Sequence, residues 1–323
     1  MPEPSPDSPV ASLSTEAPTT GVPAGAVELQ IAAAEVDADR PARRKLGGLG
    51  IGAWLCIAWL TLITVGALLA PILPLDDPND TLGGIIANRG FGAGGHLLGG
   101  DSSGRDLLSR TIFGARNSLT VGFGAIIIGT VVGGLLGLIA GYYRGRIDTF
   151  IVGLLDVLLS FPALVLALAL VAVLQNRVSA LLTLVLALGV ISIPVLARIT
   201  RANALVWSQR EFVMAARAQG ARDWRIMIRE VLPNVLPSAF SIALLGVAVV
   251  IVAEAGLALV GVGLSTQSPT WGNIITDGQA DLTSGTTPHI VFVGAAMVFL
   301  TVLALNYLGD VVRARFDVRE AAI

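Results

Sequence analysis

The sequence predicts an all-α integral membrane protein with six transmembrane helices, and three observations predict it. Of its 323 residues 54% are hydrophobic and only 14% are charged, with a mean hydropathy of +0.77. A soluble domain carries about 25% charged residues. The apolar residues gather into runs long enough to cross a bilayer, which takes about 20 residues per helix. Between the runs lie polar segments whose arginines fall mostly on one side. So much apolar surface exceeds what a single soluble core buries, which excludes a soluble enzyme and a nucleic-acid binder. The net charge of −2, from 21 basic and 23 acidic residues, gives no reason to expect a polyanionic partner. A single cysteine, Cys56, excludes an intrachain disulfide framework and a cysteine-based zinc site. Two histidines, His96 and His289, do not make a His-rich metal site. No metal or cofactor is expected on this chain.

Residues 1–45 differ from the rest. They are rich in Pro, Ser, Thr and Ala, and seven acids outweigh Arg40, Arg43, Arg44 and Lys45 to leave a charge of −3. With no sustained apolar period the stretch cannot bury enough surface to offset chain entropy, so it reads as a disordered extension rather than a docking tail. Six runs then qualify as spans, at about 46–73, 117–143, 149–174, 178–197, 236–264 and 289–309. The first follows the basic cluster. Its 28 uncharged residues far exceed the roughly 7–15 of a signal core, so it reads as a retained anchor. Cys56, preceded by Trp54 and Leu55, lacks the small residues of a lipoprotein cleavage site and reads as an apolar lipid- or helix-facing residue.

Arginine and lysine placement sets the orientation. With the N-terminus inside, 16 positive charges fall in inner segments and 5 in outer ones. Both termini are therefore expected in the cytoplasm, residues 318–323 included. In the second span Gly129, Gly133, Gly137 and Gly141 recur every four residues, which predicts a face where another helix approaches closely. The partner could be internal or another subunit. Asp156 in the third span and Glu254 in the fifth are acids in apolar surroundings, where a carboxylate is costly and meets a cavity or a partner. Asp156 could reach Arg144 or Arg146 structurally, and Glu254 could be a protonated, hydrogen-bonded group.

Two polar segments carry more. Between spans one and two, Ser103 and Asp106 have the spacing of a capping box. Leu107, Leu108, Ile112 and Ala115 then share one face, with Arg105, Ser109, Arg110 and Arg116 elsewhere. This predicts a short amphipathic helix at the membrane surface. The 36-residue segment from Arg198 to Pro233 places Phe212, Ala215 and Ala216 on one helical face. Gly220 follows where a helix ends in a left-handed turn, and Asp223 sits where an acid favours the start of a second helix. In that helix Trp224, Met227, Ile228 and Val231 recur at helical spacing, Arg222, Arg225 and Arg229 form a basic face, and Pro233 is expected to stop it. The hairpin could lie on anionic lipid or be gripped by a cytosolic protein.

Met214-Ala215-Ala216, then Gly220, Ile228 and Leu232-Pro233 resemble the EAA loop of ABC-importer permeases. The likeness extends to His96, Gly99 and Asp101 with Gly104-Arg105-Asp106 and Ser109-Arg110. It continues in Asp156 with Phe161-Pro162, Ala253-Glu254-Ala255-Gly256-Leu257, Gly261 and Gly263, Pro269 with Trp271-Gly272-Asn273, and Asn306 with Gly309-Asp310. Together these are similar to the second permease subunit of dipeptide, oligopeptide and nickel importers over about residues 46–317. The resemblance implies the type I importer permease fold with a cytoplasmic coupling helix in a loop spanning about 201–235. It assigns ATPase coupling to Ala215, Ala216, Gly220, Asp223, Ile228, Leu232 and Pro233. The implied partners are a homologous permease subunit, two ABC ATPase subunits holding ATP and magnesium, and an extracytoplasmic substrate-binding protein. Two positions depart from the pattern: Met214 stands where the family has Glu, and Glu230 where it often has His.

The chain contains no GxxxxGK[ST] nucleotide loop, so ATP hydrolysis is expected elsewhere. An ion-coupled secondary transporter would show inverted repeats, and none is evident here. A membrane enzyme would need clustered catalytic groups, and His96 and His289 are both expected outside the membrane or at its edge, near no clustered carboxylates. A bacterial inner-membrane permease for di- or oligopeptides is the expected function, with nickel or another small solute as the alternative cargo.

Overall fold

The computed structural model describes residues 50–81, 90–279, 282 and 287–317. The tail of residues 1–45 and the terminus at 318–323 lie outside the described residues, which are all-helical apart from turns and one isolated bridge. α1 (Ile51–Leu69), α2 (Leu107–Tyr143), α5 (Ala180–Trp207), α7 (Asp223–Leu259) and α9 (His289–Asp317) are each long and apolar enough to cross a membrane. α3 (Gly145–Leu159) and α4 (Ala163–Leu174) meet at 87°. Two shorter helices, α6 (Glu211–Ala218) and α8 (Trp271–Asp277), complete the set.

The third expected span, a single run over 149–174, is corrected here. It breaks at Ser160-Phe161-Pro162, where Pro162 adopts an extended φ −55°, ψ 128°. Proline lacks the N–H that would continue the ladder and pushes the preceding residue out of the helical region. Together α3 and α4 are apolar enough to cross the membrane once as a bent pair or to enter and leave it on one side.

The expected surface helix before span two is also corrected. α2 is one 37-residue helix, about 56 Å long at 1.5 Å per residue, and Leu107 belongs to its first turn. Its N-cap is Asp106 rather than Ser103: the Asp106 carboxylate accepts from the Ser109 N–H at 2.7 Å. Residues 101–105 are occupied instead by a closed turn, in which Asp101 accepts from the N–H groups of Ser103 and Arg105. Pro233, expected to stop the second loop helix, lies within α7. A π turn at Met227–Val231 precedes it; this wider turn lets the chain absorb a residue that can neither donate nor fit a regular i−4 contact.

The main core lies where α2, α5, α7, α8 and α9 meet, around Leu119, Leu188, Ile251, Leu257, Trp271 and Leu305. α1 lies against α9, where Trp59 Nε1 donates to Thr301 Oγ1 at 3.3 Å and a Cβ on Gly52 would lie 2.9 Å from the Tyr307 hydroxyl. Its other side is open and apolar, with Trp54, Leu55, Leu62 and Leu68 all exposed. A soluble protein rarely leaves so wide an apolar belt in water. In lipid, burial of leucine against leucine contributes little, and close packing must supply the association energy.

That packing is tightest between α2 and α5. A Cβ built on Gly133 would lie 2.5 Å from the Ile193 carbonyl oxygen, and on Gly137 2.2 Å from that of Ala197. On Gly129 it would meet Ser192 and Leu196 at 2.8 Å, and on Gly141 it would meet Ala204 and the Arg201 carbonyl at 2.7 Å. All four glycines thus face one helix of the same chain.

Candidate functional site

The segment from Arg198 to Pro233 folds into a compact hairpin on the ends of α2 and α5. α6 closes in a Schellman turn. The Ala221 N–H donates to the Ala216 carbonyl at 3.1 Å and the Gly220 N–H to that of Arg217 at 3.0 Å, the two bonds that define the motif. Gly220 carries φ +80°, a region that only glycine enters cheaply. Asp223 then stands in the first turn of α7, where the helix dipole favours an acid.

The hairpin has its own small core. Val213, Ile226 and Val231 are fully buried against Leu138, Tyr142, Ala204 and Val235. Polar contacts pin it further: the Tyr142 hydroxyl donates to Asp223 Oδ1 at 2.8 Å and accepts from Arg217 Nη2 at 3.2 Å. That hydroxyl, foremost, holds the Arg217 guanidinium above its ordinary pKa. Arg144, in a left-handed conformation at φ +55°, donates from Nη2 to the Leu205 carbonyl at 3.0 Å and to Ser208 Oγ at 3.1 Å. These residues rim an open cleft of about 1170 Å³ between the end of α2 and the hairpin.

The exposed residues of the hairpin mix apolar with basic side chains, Arg222, Arg225 and Arg229 among them. Met214 and Trp224 are each 56% exposed and Ile228 47%; Ala215 is also exposed. Ala216 is different: it is half-buried and packs on the hairpin core. The expected single face of Phe212, Ala215 and Ala216 is therefore split: Phe212 and Ala215 are exposed while Ala216 turns toward the hairpin core. Leu232 packs inward and Pro233 is exposed.

The two acids sit in unlike places. Asp156 is half-exposed and pairs with Arg198 of α5, not with Arg144 or Arg146. Nearer the start of α3, Asp148 binds Arg201 with both carboxylate oxygens, so two ion pairs fasten α3 to α5. Glu254 is fully buried near the opposite end of α7, where Ser118 Oγ donates to its Oε2 at 3.4 Å. Its Oε1 has no hydrogen-bond partner among the described residues.

One cluster is only partly signalled in the sequence, where Asp101, Arg105 and Arg110 fall in the segment before α2 but nothing marks Asp277 as their partner. At the end opposite the hairpin, Asp101, Arg105, Arg110 and Asp277 form a buried ionic network. Arg105 Nε donates to Asp101 Oδ2 at 2.7 Å, and Arg110 Nη2 to Asp277 Oδ2 at 3.0 Å. Both guanidinium groups also donate to the Thr266 carbonyl, each at 3.2 Å. Burial pushes the Asp277 carboxyl up, against the pull of Arg110 and Arg105. The four-residue spacing of Asp101 and Arg105 is a local signal; Asp277, far along the chain, gives none.

A bundle of long apolar helices with one sharply bent helix pair and a projecting helix–Gly–helix hairpin defines a membrane permease of the ABC importer type. Comparison with known proteins gives the family: residues 133–320 match the binding-protein-dependent transport system inner membrane component, and the chain belongs to that family. It is 37% identical over 222 residues to the glutathione transport system permease protein GsiD of Pectobacterium atrosepticum, spanning 69% of this chain and 72% of that one. It is 40% identical over the same length to GsiD of Escherichia coli O157:H7, with the same coverage. Among solved structures it resembles two inward-facing forms of the MetNI methionine ABC transporter, with TM-scores of 0.53 and 0.54 at 20% and 19% identity. Those matches cover 64% of this chain and 95% and 97% of theirs, a likeness of fold. The chain is a multi-pass inner-membrane permease subunit with the type I importer fold, working in a complex with other ABC components.

Proposed function

We propose that this subunit forms half of the translocation pathway for short peptides and is driven through its hairpin by ATPases docked from the cytoplasm. The observation that carries the coupling role is the hairpin itself: exposed apolar Met214, Ala215, Trp224 and Ile228 beside a Gly220 turn, continuous with the membrane-crossing α7. Such a surface suits a protein cleft. Ala216 and Leu232 shape the hairpin from inside, Asp223 anchors it to Tyr142, and Pro233 sits where the hairpin passes into the span. Both chain termini would lie in the cytoplasm with the hairpin, in keeping with the arginine bias. The partners would be a homologous permease subunit, two ABC ATPase subunits that hold ATP and magnesium, and an extracytoplasmic binding protein. Similarity to glutathione permeases favours a peptide cargo over nickel, and transport itself would need no cofactor on this chain.

The test is substrate-stimulated ATP hydrolysis by the assembled complex at matched subunit stoichiometry. Gly220→Val imposes a β-branched side chain on a left-handed turn, and Ala215→Asp puts a charge on the exposed face, where desolvating it is costly. Both variants should assemble in the membrane and lose at least tenfold in stimulation. Neutralising Arg222, Arg225 and Arg229 should do less. The reverse order would place the hairpin on lipid instead.

A further inference from the structure

We propose that the end of the bundle opposite the hairpin holds a resident divalent transition-metal ion, of the zinc class, bound by Asp76, His96 and Asp106. The three residues come from separate pieces of chain: the segment after α1, the loop before α2 and the N-cap of α2. One ligand atom of each lies within 4.8 Å of the others. His96 Nδ1 stands 3.4 Å from Asp76 Oδ2 and 3.1 Å from Asp106 Oδ1. Zinc bonds to nitrogen and oxygen of about 2.0–2.2 Å in a tetrahedron put neighbouring ligand atoms about 3.4 Å apart. The two separations from His96 are close to the edges of that tetrahedron.

Hydrogen bonding alone does not account for the arrangement. An imidazole Nδ1 carries one proton or one lone pair, so it makes one well-directed hydrogen bond, at 3.1 Å to Asp106, and only a weak shared one to Asp76 at 3.4 Å. Among the described residues no arginine or lysine pairs with either acid, although Arg105 and Arg110 lie close in sequence and are committed to Asp101 and Asp277. A bound cation would supply the missing charge.

The ligands are also held in place. Asp106 Oδ2 accepts from the Ser109 N–H at 2.7 Å, which leaves Oδ1 turned to His96. The Asp76 backbone carbonyl accepts from Ser109 Oγ at 2.6 Å. A single residue, Ser109, thereby fixes the Asp106 carboxylate and the backbone of Asp76, outer support of the kind that metal ligands need. Asp106 is 5% exposed, His96 22% and Asp76 49%, so an ion could enter from the Asp76 side and keep a water in its fourth position. Two carboxylates and one imidazole suit zinc, manganese or nickel better than a soft-ligand metal such as copper(I). The ion would tie the chain after α1 to the first turn of α2.

The proposal is independent of the cargo, and its test reads metal rather than transport. The full-length chain, in its complex and purified without a histidine tag, is stripped with chelator and incubated with zinc chloride alone. Bound zinc is measured by mass spectrometry after gel filtration, and affinity by competition with a chromophoric chelator. Wild type should bind about one zinc per chain. His96→Gln and Asp76→Asn should each weaken binding at least tenfold, as removal of a ligand does. His289→Gln, at the other histidine, should leave it unchanged. Asp106→Asn is avoided because it also removes the α2 cap. Overturning results would be absence of stoichiometric zinc in the wild type, or wild-type affinity in both His96→Gln and Asp76→Asn at normal elution volume.

Discussion

At Gly137 a single methyl group would have to occupy space 2.2 Å from the Ala197 carbonyl oxygen. Backbone cannot move aside as a side chain can. Gly137→Ala should therefore separate α2 from α5 and lower stability by about 1–3 kcal/mol, the usual cost of overpacking. Gly134 offers the control, since nothing lies within 4 Å of a Cβ there and alanine is the better helix former. Thermal unfolding of the solubilised complex should show a lowered midpoint for Gly137→Ala and none for Gly134→Ala. Arg110 is the second residue on which much depends. It is fully buried, and Arg110→Met would leave Asp101 and Asp277 sharing Arg105 alone, with one negative charge uncompensated, at a cost of about 3–5 kcal/mol. Arg110→Lys should rescue little, because an ammonium cannot reproduce the planar fork that reaches Asp277, Thr266 and Pro78 together. Expression and unfolding midpoint would both report the loss.

Elements are legible in a sequence to the extent that their signals are local. Long apolar runs mark every crossing helix, and Gly220 marks the hairpin turn by itself. The break at Pro162 is hidden, because hydropathy averaged over a run of apolar residues carries no direction. Pro233 misleads in the opposite sense: its missing donor argues for a stop, yet the π turn before it absorbs the defect. Asp156 meets Arg198 rather than Arg144 or Arg146, since no local pattern encodes the angle between α3 and α5. The buried network needs Asp277, which only the tertiary fold brings to Arg110. The ion pairs between α3 and α5 make a test at this scale. Asp148→Arg should place two guanidinium groups together and release α3, lowering the yield of assembled complex on gel filtration. Adding Arg201→Asp should restore the pair and most of the yield.

At the scale of the whole molecule, the arginine bias predicts an orientation that chemical labelling can read. With Cys56 replaced by alanine, a cysteine at Ala218 should resist a membrane-impermeant maleimide in intact cells. One at Asn79 should react. Labelling of Ala218 from outside would invert the topology and remove the hairpin from the ATPase side. The same view explains why α7 matters. It runs unbroken for 37 residues from Asp223 to Leu259, so its hairpin end and its Glu254 end belong to one stiff element.

The π turn at Gly129–Gly133 bears on how far a row of small residues can stay useful. In a regular α-helix four residues advance about 400°, so a residue repeated at that interval winds about 40° around the axis at each step. Over three steps the row would swing through about 120° and its ends would face away from a straight neighbour. A π turn holds more residues per revolution, so its step winds the other way. The first interval of the row, from Gly129 to Gly133, falls within that turn and counteracts the drift of the next two. The extra residue acts as a phase correction. It lets a four-residue repeat, which by itself would spiral, run as a nearly straight seam along α5 from Ser192 to Ala204.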